Sequence, residues 1–105
     1  MQFFVRWRID NTMLAKPATP EEIGKLYSAM LKMVKEDLRY GSFSAFGQFG
    51  NGRDGYVISD LKDVTDLAAV MFKYRPYVTW KIRPVLDVDE SMVVIQEASA
   101  TVKLE

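Results

Sequence analysis

Residues Phe3–Ile9 alternate without a break: Phe3, Val5, Trp7 and Ile9 have one parity, Phe4, Arg6 and Arg8 the other. A period of two is the signature of a strand whose faces meet different surroundings. The stretch 77–86, YVTWKIRPVL, repeats the device, with Val78, Trp80, Ile82 and Leu86 against Thr79, Lys81, Arg83 and Val85. Each strand thus has a fully apolar side, and its other side carries two cations interleaved with apolar residues.

Between these strands the pattern changes period. Thr19-Pro20-Glu21-Glu22 is a helix start, with Thr19 as cap, Pro20 in the first turn and Glu22 at the capping-box position. Ile23, Leu26, Tyr27, Met30, Met33, Val34 and Leu38 follow at spacings of three and four, and Gly41 supplies a left-handed stop. Asp10–Ala18 reads as a loop closed by Pro17. The stretches 42–49 and 55–61 read as a hairpin around GNGRD, whose Asn and Gly accept the positive φ of a tight connection. Asp63 caps a second helix with Val64, Leu67, Ala68, Met71 and Phe72 as its buried stripe, ended by Pro76. Asp87 and Glu90 form another capping box, which predicts a short C-terminal helix over 91–98 within an extension spanning 87–105.

The order strand, helix, strand, strand, helix, strand predicts an α+β, ferredoxin-like fold: a four-stranded antiparallel sheet with two helices on one face, in one domain spanning 1–105. In that topology the first and last strands are neighbours. Arg6, Arg8, Lys81 and Arg83 then gather on the face away from the helices, with Phe4, Val85 and Phe46 among them and Ser44 and Gln48 alongside. Such a face is too apolar for plain solvation and too charged for a core. Three explanations stay open. The cationic stems cover the apolar residues while their heads reach water. Two copies pack sheet against sheet, the cations meeting Asp54, Asp60 or acids of the tail. Or the enclosed space keeps a cation for an organic anion, making Phe4, Arg6, Arg8, Phe46, Gln48, Lys81 and Arg83 the candidate ligand-binding residues.

Composition narrows the chemistry. The sequence contains no histidine and no cysteine. This excludes Ser-His-Asp triads, thiol nucleophiles, disulfides, His-ligated haem and the usual zinc sites, so the expectation is no cofactor and no metal. Fourteen basic residues balance fourteen acidic ones, leaving no global field for nucleic acid or an anionic membrane. No apolar run approaches the ~18 residues of a membrane span, and a cysteine-free chain fits the cytoplasm. GNGRDG lacks the lysine and following helix of a phosphate loop. Asp87, Asp89 and Glu90 are explained by helix capping rather than by a metal. Trp7 and Trp80, on the apolar parity, are core residues before they are stacking platforms.

The segments FFVRWRI, TPEE, GSFSAFGQFGNGRDGYVI and YRPYVTWKIRPVLDVDE together resemble the dimeric α/β-barrel superfamily, in particular its small members near muconolactone isomerase. The resemblance covers roughly residues 2–92. It implies a homodimer that pairs two sheets into a barrel, and a cofactor-free isomerase or monooxygenase of aromatic or lactone metabolites. The superfamily's haem-binding branches use histidine and its YCII-type branch a His-Asp pair, neither of which this chain has. No catalytic residue is carried over. Two other functions compete: a non-catalytic assembly module, and an RNA-binding sheet face. RDGYVI echoes the basic-glycine-aromatic signature of the latter, but Ile58 and Asp60 stand where further aromatics are needed.

Overall fold

The computed structural model describes residues 1–10 and 19–101. The loop expected between the first strand and first helix lies almost wholly outside them. The elements are β1 (Gln2–Ile9), α1 (Pro20–Tyr40), β2 (Ala45–Gln48), β3 (Asp54–Asp60), α2 (Val64–Phe72), β4 (Val78–Val85) and α3 (Val88–Thr101). The four strands form one sheet in the order β2-β3-β1-β4, with every neighbouring pair antiparallel. This is the ferredoxin-like α+β arrangement.

The helix boundaries follow from their caps. The Thr19 hydroxyl accepts from the Glu22 amide at 3.2 Å, and Gly41 closes α1 at φ 83°. The Asp63 carboxylate accepts from the Asp66 amide at 3.0 Å. At α3, Asp87 accepts from the Glu90 amide at 2.8 Å while Glu90 accepts from the Asp87 amide at 3.2 Å, a reciprocal capping box. That box starts α3 at Val88, three residues before the expected point, and the helix runs to Thr101.

One face of the sheet carries the core. Phe3, Val5 and Trp7 of β1, Val57 of β3 and Val78 of β4 are buried with Val34 of α1, Leu67 and Met71 of α2, and Phe43. Trp7 lies across Gly55, where a β-carbon would collide with its indole, and stacks on Phe46 at 5.5 Å between centroids. Its indole N–H donates to the Tyr56 carbonyl at 3.2 Å.

Four expectations need correction. Leu38 is exposed, and Asp37 is buried instead, because Lys73 and the Tyr74 hydroxyl each donate to its carboxylate at 2.6 Å. Val64 is exposed at the start of α2. Phe72 is also exposed, and it packs edge-on against Trp80 with the Arg75 guanidinium 5.0 Å above its ring. Leu86 lies past the end of β4, where alternation no longer holds its side chain against the core, and it is exposed.

Candidate functional site

Strand register decides which side chains share the open face. Arg8 pairs with Asp54 on one side and Thr79 on the other; Arg6 with Tyr56 and Lys81; Phe4 with Ile58 and Arg83. Paired residues in an antiparallel ladder point the same way. The face therefore divides along its length. The β1–β4 half holds Arg6, Arg8, Lys81 and Arg83. The β3–β2 half holds Tyr56, Ile58, Ala45 and Gly47. Phe4, Arg6, Arg8, Lys81 and Arg83 line one broad hollow of about 780 Å³, together with Phe49, Asp54 and Thr79.

Aromatic packing shapes the apolar half. Tyr56 stacks on Phe4 at 6.1 Å, and Phe49 tilts against Tyr56 at 6.3 Å. Gly47 permits this, since a β-carbon there would overlap the Tyr56 ring. Asp54 is the acid within the hollow. Arg6 donates to it at 3.3 Å and the Asn51 amide at 2.6 Å. The Asn51 hydrogen bond, then that of Arg6 and the charges of Arg6 and Arg8, hold the Asp54 carboxyl below its usual range against an opposing contribution from burial. Among the described residues, Arg8, Lys81 and Arg83 form no ion pair.

Phe46 and Gln48 do not belong to this face. Phe46 pairs with Val57 and Gln48 with Gly55, which places both on the helix side. The reason is local. Ser44 donates its amide to the Ile58 carbonyl at 2.8 Å, while Ala45 is the register partner of the same residue. Two residues opposite one shift the phase of alternation, so Phe43 and Phe46 face the same side despite their odd spacing.

On the helix side Phe46 and Gln48 help line a second, apolar cleft of about 190 Å³ between α1, α2 and the sheet. Trp7, Tyr27, Met30 and Met71 supply further wall. Gln48, the hydroxyls of Tyr27 and Tyr74 and the indole N–H of Trp7, which is bound to the Tyr56 carbonyl, are the polar side-chain groups among its lining residues; none of these residues is an acid, a lysine or an arginine. The Tyr74 hydroxyl is bound to Asp37, and burial, that hydrogen bond and the Asp37 charge raise its pKa far above the ordinary tyrosine value. Alternation revealed the cationic face but not this cleft, whose walls come from six separate elements. Among the described residues, no group of three or more Asp or Glu is placed to hold a metal ion, and no helix is long and apolar enough to cross a membrane.

An open antiparallel sheet with one helix-covered apolar cleft and one mixed cationic face defines an α+β ferredoxin-like domain. The chain belongs to the family described as Domain of unknown function (DUF3303), which matches residues 1–99. No curated protein sequence matches it. Among solved structures it is similar to the crystal structure of muconolactone isomerase, with a TM-score of 0.66 and 16% identity, covering 83% of this chain and 90% of that one. This likeness establishes a muconolactone isomerase-like fold.

Proposed function

We propose that this protein is a homodimer that binds a small molecule carrying one ring, in the cleft between α1, α2 and the sheet. The observation that carries this reading is the cleft itself: about 190 Å³ with almost wholly apolar walls. Apolar cavities of roughly 150 Å³ admit a benzene-sized guest, so the volume suits a single aromatic or lactone ring. Met30 and Met71 give the wall adaptability, and Gln48 offers an amide to a carbonyl or hydroxyl substituent. The fold shared with muconolactone isomerase supports the finer reading of a cofactor-free isomerase or monooxygenase of aromatic or lactone metabolites. A second reading, binding without catalysis, is favoured because no carboxylate or lysine that could move a proton stands among the described residues lining the cleft. The homodimer is supported by the open face, where Phe4, Tyr56 and Ile58 stay half-exposed within one chain.

The test is an NMR titration of methyl-labelled methionines with phenol, benzoate and an unsaturated five-membered lactone. At least one probe shifts the Met30 and Met71 methyls with Kd in the millimolar range or tighter, and Met30→Trp, which fills the cleft, weakens it at least tenfold. Failure of all probes to perturb those methyls at several millimolar, or binding unaffected by the filled cleft, overturns the cleft assignment.

A further inference from the structure

Among the described residues of α3, 88–100, none is buried. Its residues from Met92 to Ala100 are all exposed, Val88 to 76% and Ile95 to 64%, and the molecule is drawn out to 65 × 30 × 25 Å. A helix of 14 residues is marginal in water by itself, and this one displays Val88, Met92, Val93, Val94 and Ile95. Such a surface calls for a cover.

Charge selects the cover. α3 carries Asp89, Glu90 and Glu97 and no basic residue. The open face of the sheet carries four cations, of which Arg8, Lys81 and Arg83 form no ion pair among the described residues. The acids of that face are already engaged, Asp54 by Arg6 and Asp60 by the N-terminal ammonium. Two copies pairing those faces directly would therefore set the remaining cations together, which opposes the pairing unless further acids enter the seam. We propose that α3 of each copy lies along the open face of the other and supplies those acids. This rests on the open-face dimer proposed above and adds to it the residues that neutralise the seam.

The dimensions agree. Glu90 and Glu97 are seven residues apart, so they lie on one side of α3, separated by ~10 Å along its axis. The cations of β1 and β4, from the Arg8 row to the Arg83 row, span four residues of strand, or ~14 Å. A helix laid with Ser91 and Val94 toward the sheet directs Glu90 and Glu97 to one flank and Ile95 to the other. The face is divided in the same way, with cations over β1 and β4 and apolar residues over β3 and β2.

Charge reversal with exchange tests this in the full chain. One variant is Glu90→Gln with Glu97→Lys, where glutamine keeps the capping oxygen for Asp87. The other is Lys81→Glu with Arg83→Glu, two exposed positions that form no ion pair among the described residues, and circular dichroism checks the fold of both. By sedimentation equilibrium, each variant alone dimerises at least tenfold more weakly than the wild type. An equimolar mixture recovers dimer to within about threefold, because each heterodimer has complementary arms and faces on both sides. Wild-type affinity in either variant, or no recovery on mixing, overturns the role of α3. Tyr56→Asp separates the two levels. If it abolishes the dimer while the charge variants do not, open-face pairing stands and α3 falls; if it too leaves the dimer intact, both fall.

Discussion

Gly47 and Gly55 sit on opposite faces of the sheet, and each makes room for an aromatic ring, Tyr56 outside and Trp7 inside. Neither position needs an unusual φ; what each needs is the missing β-carbon. Gly47→Ala therefore forces Tyr56 off Phe4, at a cost of about 1–3 kcal/mol typical of overpacking. Urea denaturation checks this, and the cost disappears when the same substitution is made in a Tyr56→Ser background. Asp54 has a different dependence. Its carboxyl is held below the usual range by the Asn51 amide first and by Arg6 and Arg8 after it. A carboxylate depressed in the folded state contributes stability that is fully present above its unfolded pKa, near 4, and is lost as pH falls through the folded value. Asp54→Asn should flatten the acid limb of a stability–pH curve below about pH 4 and leave the slope near neutrality unchanged.

At the scale of elements, the legible features were those written in local chemistry. Thr19 with Glu22, Asp63 and Asp87 with Glu90 announce three helices, and Phe3–Ile9 announces a strand, because caps and alternation depend on neighbours in sequence. The misplacement of Phe46 and Gln48 has a non-local cause: the doubling of Ser44 and Ala45 opposite Ile58 belongs to strand pairing and leaves no mark in composition. Asp37 is the same lesson in α1. A carboxylate reads as solvent-facing unless its partners are known, and Lys73 and Tyr74 arrive from beyond α2. That contact ties α1 to the segment following α2, and Tyr74→Phe leaves one buried carboxylate oxygen without its donor. The expected cost is about 1–3 kcal/mol in chemical denaturation at neutral pH. Because the Tyr74 pKa is raised, the wild type keeps this hydroxyl's contribution below the unfolded tyrosine value near 10 and loses it as pH rises further. Tyr74→Phe should lack that component of alkaline destabilisation.

For the whole molecule, one division explains both concave surfaces. Helices on one side of the sheet leave an apolar cleft, while the bare side leaves cations among apolar residues and α3 leaves acids beside exposed apolar side chains. The cationic residues were legible because they alternate within two strands that the topology makes adjacent; the cleft was not, because no single segment contains it. The dimer proposed above depends on pairing across the bare face. Its most direct measurement is an isotope-filtered NMR experiment on a mixture of labelled and unlabelled chains at concentrations where the protein is dimeric. Open-face pairing predicts intermolecular contacts from the Phe4 and Tyr56 rings of one copy to its partner, including the Ile95 methyls of α3. A dimer whose only intermolecular contacts come from the exposed surfaces of α1 and α2, or a chain that stays monomeric at millimolar concentration, would contradict it.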